Sequence, residues 1–217
     1  MITSFDLFGT LVEVRQPSPH ESIATELGKR NIVVPEDWCD AFHENHLDLP
    51  AWKEVPLPEH VGAALESRGV TPRDSTEEPE SGGREPLHEA VFDAFAPETV
   101  ETREGVLEAV DCALSYGETG VLSNCSVPGL AELVLERSGI PIECFDVVVT
   151  SVGCGYRKPD YRAFGTVANR LNGCVPELVH VGDDPSTDDG LEELGGTAIL
   201  TEDTSLTEIP DRMEELK

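Results

Sequence analysis

The chain has 217 residues, 39% of them hydrophobic, which is enough to pack the interior of one α/β domain with a modest insertion. Its 43 acidic residues against 15 basic ones give a formal charge of -28 spread along the whole length, and this argues against nucleic acid as a partner, since neutralising phosphates needs clustered Lys and Arg. Arginines outnumber the four lysines, Lys29, Lys53, Lys158 and Lys217, and aromatics are few, a pattern expected of a cytosolic protein from a halophile that works in molar salt.

In chain order, the apolar run Ile2 to Phe5 reads as a buried strand that ends at Asp6 and a turn loosened by Gly9. Ser18 is placed to cap a helix reaching about Arg30, Pro35 to His46 reads as a second helix, and Pro58 to Ser67 as a third. The stretch 71–85, rich in Pro, Gly and charge, is expected to be a mobile loop. Helical spacing resumes from Glu85 to Phe95, with Leu87, Ala90, Val91 and Ala94 on one face.

From Glu104 the pattern alternates between helices and short apolar strands. The strands are Gly120 to Leu122, Asp146 to Thr150, Leu178 to Val181 and Thr197 to Leu200, and the helices include Pro128 to Ser138, Pro159 to Leu171, Asp188 to Leu194 and a last acidic one. Such alternation predicts an α/β, Rossmann-like parallel sheet flanked by helices and buried on both faces. The expected division is a core of residues 1–16 and 97–217, with 17–96 as a small all-helical cap inserted after the first strand.

Six cysteines, Cys39, Cys112, Cys125, Cys144, Cys154 and Cys174, form no CxxC pair and no zinc-like spacing, so buried free thiols are expected. The chain opens on a strand without a signal-like segment, and no apolar stretch reaches the length of a membrane span. A cytoplasmic protein, monomer or homodimer, with no membrane partner is the expectation. His43 and His46 share a helical stretch, but two imidazoles without a third ligand read as surface histidines. Trp38 and Trp52 read as packing residues of the helical segment, and His180 as a core residue of its strand.

In an open parallel sheet the ligand crevice lies at the carboxyl ends of the strands. Four such ends carry polar groups: Asp6; Ser123-Asn124 after Val121-Leu122; Lys158 in Gly155-Tyr156-Arg157-Lys158-Pro159-Asp160; and Gly182-Asp183-Asp184-Pro185-Ser186-Thr187-Asp188. Singly each has a plain structural reading, a strand-end carboxylate, a helix cap, a surface lysine or a solvated acidic turn. Together, in this order, they specify a chemistry. A carboxylate at a buried strand end is oriented and partly freed from water, so Asp6 is the candidate nucleophile. Ser123 can hydrogen-bond phosphoryl oxygens, and Lys158 offsets the charge of nucleophile and substrate. Asp183 and Asp188 bring two more carboxylates near Asp6, a cluster that calls for a cation, of which Mg²⁺ is the natural occupant.

These residues resemble the haloacid dehalogenase superfamily of hydrolases and phosphatases, whose motifs are an N-terminal DxDGT-like turn, a Ser or Thr, a Lys, and GDxxxxD. The insertion point resembles that of the branch with a helical cap. The resemblance implies direct metal contacts from Asp6, Asp183 and the backbone carbonyl of Phe8, support from Asp188, and substrate contacts from Gly9, Thr10 and Asn124, with a small-molecule substrate. The chain departs from the pattern at Phe8, where a second carboxylate would act as general acid. Loss of that acid costs on the order of a hundredfold to ten-thousandfold for alkyl ester cleavage, whereas halide expulsion needs no proton. The leading expectation is a magnesium-dependent phosphatase acting through an aspartyl-phosphate on Asp6. Dehalogenases of the family are similar in carrying an aromatic at this place and a run like Leu122-Ser123-Asn124, which keeps a 2-haloacid dehalogenase open as the alternative, beside a non-catalytic ligand-binding member.

Overall fold

The computed structural model describes residues 1–15, 18–71 and 85–216. The strands are β1 (Ile2–Phe5), β2 (Val12–Glu13), β3 (Glu101–Thr102), β4 (Thr119–Ser123), β5 (Val147–Thr150), β6 (Leu178–Gly182) and β7 (Thr197–Leu200). The helices are α1 (Pro19–Lys29), α2 (Trp38–His43), α3 (Leu57–Glu66), α4 (Pro86–Phe95), α5 (Val106–Tyr116), α6 (Leu130–Ser138), α7 (Ser151–Cys154), α8 (Tyr161–Arg170) and α9 (Ile209–Glu215). Five strands form a parallel sheet in the order β5-β4-β1-β6-β7, the expected α/β Rossmann-like architecture.

Alternation along the strands sorts side chains between two cores. Phe5, Val121, Val179, Val181 and Ile199 face the side covered by α5, α6 and α9. Ile2, Leu122, Val149 and Leu178 face α8, whose Ala163, Phe164, Val167, Ala168 and Leu171 repeat at helical spacing. The same alternation carries polar residues inward: Ser4 and His180 are opposite partners on neighbouring strands, both fully buried on the α8 side.

Between β2 and β3 the described residues form α1 to α4. In α1, Ile23 and Leu27 point inward at i, i+4, and the helix packs on α4 and α2. At its end Arg30 pairs with Glu26 at 2.7 Å and with Asp93 of α4. Arg68, after α3, bridges Asp37 at 2.9 Å and Glu44 at 2.7 Å. The antiparallel pairing of β2 with β3, Val12 opposite Thr102, draws the two ends of this segment together. Two-residue strands carry no periodicity, which is why the sequence did not reveal them.

Several boundaries differ from expectation. The second helix is confined to Trp38–His43. Ser18 stands at the N-cap of α1 without a side-chain bond to the helix, and its hydroxyl instead lies 3.2 Å from His20 Nδ1. The segment after Asp188 is a 3-10 helix, Asp189–Leu194. Of the stretch read as a mobile loop, residues 72–84 lie outside the described residues. The cysteines are all free, but Cys39 and Cys174 are exposed and only Cys125 is fully inside, a correction to the expectation of buried thiols. No helix among the described residues is long and apolar enough to cross a membrane.

Candidate active site

Three strand ends of the sheet converge on one lysine. Asp6 follows β1, and its amide is held by the Val181 carbonyl at 2.8 Å. Lys158 is 1% exposed, with its ammonium 3.0 Å from Asp6 Oδ1 and 2.6 Å from Asp188 Oδ1. Asp188 Oδ1 also lies 3.1 Å from His180 Nε2, and Asp188 Oδ2 accepts from the Asp184 amide at 3.0 Å. Burial alone would lower the lysine's proton affinity, but Asp6 and Asp188 outweigh it and raise the pKa. For Asp188 burial works toward protonation, and the His180 hydrogen bond and the Lys158 charge overcome it, holding the carboxyl well below the usual range.

Asp183 is placed differently. It accepts from Thr10 Oγ1 at 2.9 Å, yet burial, with help from the Asp6 and Asp188 charges, pushes its pKa up. Oxygens of Asp6, Asp183 and Asp188 all lie within 4.8 Å of one another. Asp6 Oδ1 is buried with no hydrogen bond and only the ion-pair contact to Lys158. Three carboxylates against one ammonium leave an uncompensated negative charge, so the residues present fit a hard divalent cation.

Gly9 makes this approach of β1 and β6 possible. Its φ is +83°, and a Cβ there would lie 2.3 Å from Asp183 Oδ2. Phe8 turns its ring onto the apolar core beside this turn. Ser123 closes β4 at 1% exposure, on the strand hydrogen-bonded to β1. The carboxamide of Asn124 brackets the Lys158 backbone, accepting from its amide at 2.8 Å and donating to its carbonyl at 3.1 Å. Thus Thr10 and Asn124, expected at the substrate, direct side-chain hydrogen bonds to Asp183 and Lys158.

Two residues escaped the sequence reading. His180 Nδ1 lies 2.8 Å from Ser4 Oγ, and Nε2 faces both Asp188 Oδ1 at 3.1 Å and Lys158 Nζ at 3.3 Å; the tautomer with the proton on Nε2 donates to the carboxylate and takes the Ser4 hydroxyl as donor at Nδ1. A polar residue inside an apolar strand, one step before Gly182-Asp183, was the available signal. Arg103 donates to the Gly9 carbonyl from the loop after β3, a long-range contact that no local pattern announces.

Beside the site opens a cleft of about 690 Å³, lined by Trp52, Lys53, His60, Asn124, Ser126 and Arg157 among others. Its wall is strapped to the core: Arg157 N donates to Trp52 O at 2.9 Å, Glu54 N to Gly155 O at 3.0 Å, and Leu57 N to Ser126 O at 2.8 Å. Trp38 is buried as packing, whereas Trp52 is 47% exposed on this cleft. Asp6 is not part of the lining, and Asn124 connects the two regions.

The sequence matches the haloacid dehalogenase-like hydrolase family over residues 4–195. The chain belongs to that family. No curated protein matches it. Among solved structures it is similar to a 2-haloacid dehalogenase from Pseudomonas syringae, with a TM-score of 0.63 at 17% identity over 100% of this chain and 99% of that one. A magnesium- and phosphate-bound family enzyme from Bacteroides thetaiotaomicron gives a TM-score of 0.57 at 16% identity over 92% of each chain. A predicted phosphoglycolate phosphatase from Haemophilus somnus gives 0.56 at 16% identity, covering 92% of this chain and 84% of that one. At these identities the likeness is one of fold, shared by dehalogenases and phosphatases alike.

Proposed function

We propose that this hydrolase is a magnesium-dependent phosphatase of a small phosphorylated metabolite, with Asp6 as nucleophile. The observation that carries the proposal is the convergence of Asp6, Asp183 and Asp188 within 4.8 Å of one another beside the buried ammonium of Lys158. Asp6, Asp183 and the backbone carbonyl of Phe8 would hold the cation, which supplies positive charge against the transferring phosphoryl group.

An Asp6 oxygen forms the bond to phosphorus as the ester oxygen departs, and water then cleaves the aspartyl-phosphate to release phosphate and restore Asp6. Lys158 orients Asp6, Asp188 and His180 fix the lysine, and Ser123 offers a hydroxyl to the phosphoryl oxygens. With Phe8 in place of an acid, the leaving oxygen draws its proton from water, which favours aryl and acyl phosphates over alkyl esters. Residues 17–96 serve as the helical cap that selects the substrate, with the cleft at Trp52 and Asn124 as its approach.

Phosphate release from p-nitrophenyl and acyl phosphates, in molar salt with magnesium, tests this reading. Activity abolished by Asp6→Asn is expected. No release by the parent chain, or equal release by Asp6→Asn, ends the proposal. Phe8 in the place of an acid, together with the Leu122-Ser123-Asn124 run in the sequence, favours one second reading, displacement of halide from a 2-haloacid. Metal-independent chloride release from 2-chloropropionate would select it.

A further inference from the structure

Away from the carboxylate site, α1 and α2 bring together three side chains of a different chemistry. One donor atom each from His20, Cys39 and His43 lies within 4.8 Å of those of the other two. Cys39 and His43 are four apart and share a face of α2, and His20 comes from the first turn of α1. The sequence reading left His43 and His46 as surface histidines for want of a third ligand. In the fold His46 turns away, its Nε2 2.6 Å from the Ala41 carbonyl and its ring beside His60, so the true companions of His43 are a cysteine and a histidine remote in sequence.

We propose that His20, Cys39 and His43 bind a zinc-like divalent cation, with a fourth position left to water. A thiolate and two imidazoles select a borderline-soft metal over magnesium, which takes oxygen ligands. Tetrahedral zinc with bonds of about 2.0–2.3 Å needs donors about 3.5 Å apart, and the three donor atoms here already lie within 4.8 Å of one another. Cys39 and His43 are exposed and His20 half-buried, so side-chain rotation alone closes the remaining gap.

The surroundings hold the ligands in register. The Cys39 carbonyl, which can only accept, lies 2.7 Å from His43 Nδ1, so Nδ1 carries the proton and the lone pair sits on Nε2. A metal taken through Nε2 keeps that bond as a support for the ring. Buried Trp38 donates Nε1–H to the His20 carbonyl at 2.8 Å, tying the start of α1 to α2. The His20 and His43 rings are 5.4 Å apart, and Phe42 packs against both, its ring 5.3 Å from His43 and 6.4 Å from His20. Bound metal would therefore clasp α1 to α2.

The test uses the full chain, stripped with chelator and then held in millimolar magnesium so that the acidic surface is already occupied. Cobalt is added as a spectroscopic probe and zinc as the ligand. Expected are tetrahedral cobalt absorption with a thiolate charge-transfer band at one equivalent, loss of that band in Cys39→Ser, and at least tenfold weaker binding in His20→Ala. Zinc should slow alkylation of Cys39 at least tenfold while leaving exposed Cys174 unchanged. A charge-transfer band that persists in Cys39→Ser, affinity unaltered in His20→Ala, or Cys39 alkylated equally with and without zinc overturns the proposal. Circular dichroism of each variant separates lost binding from lost folding, and none of these readouts depends on the phosphatase reaction. If Cys39→Ser does not fold, the zinc protection of Cys39 in the parent chain decides.

Discussion

Gly9 and Asp183 occupy each other's space: the glycine lacks the one carbon that would sit 2.3 Å from the carboxylate oxygen. The first and last motifs of the site, remote in sequence, thus depend on a missing side chain. Gly9→Ala adds that carbon at φ +83°, where an alanine is itself strained by about 1 kcal/mol or more. Loss of most phosphatase activity is expected, with a lower urea midpoint. Unchanged turnover would show that Asp183 moves aside freely.

Lys158→Met should cost stability as well as activity. The substitution leaves Asp188 and Asp6 without their buried counter-charge, a situation typically worth about 3–5 kcal/mol. Urea unfolding in molar salt measures it, and a change below about 1 kcal/mol would mean the carboxylates find another partner.

His180 supports Asp188 through Nε2–H, so replacement by Gln, whose amide can reach the same position, should preserve more activity than replacement by Leu. The comparison is made on kcat at fixed magnesium. Equal loss in both variants would mean that packing against the Phe164 ring, 5.6 Å away, matters more than the hydrogen bond.

Phe8→Asp restores a carboxylate two residues after the nucleophile. Turnover of alkyl phosphates should rise by about a hundredfold or more, with a smaller gain for p-nitrophenyl phosphate, whose leaving group needs little help. No gain would mean that the Phe8 side chain, packed on the core, cannot be redirected toward the substrate.

Burial pushes the Cys125 thiol up to about 11. The thiolate is the reactive form, so near pH 8 only about one part in a thousand is available and the sulfur is shielded as well. Iodoacetamide on chelator-treated protein should label Cys39 and Cys174 and spare Cys125 until the protein unfolds. Mass spectrometry of the labelled peptides checks this, and rapid native labelling of Cys125 would contradict the burial.

The parallel sheet was legible in the sequence, because continuous apolar runs of four or five residues separated by helical spacing have one economical packing. It also brought Asp6, Lys158, Asp183 and Asp188 to a common edge, since a parallel sheet places all its carboxyl strand ends together. How those groups share their charges emerges from the fold. Lys158 is claimed by two carboxylates, Asn124 is spent on the lysine's backbone, and His180 enters through an opposite pairing with Ser4 across strands 176 positions apart. Each depends on distances between segments, to which periodicity is blind. The same limit left His43 without a third ligand along its own helix, whereas the fold set it beside Cys39 and His20.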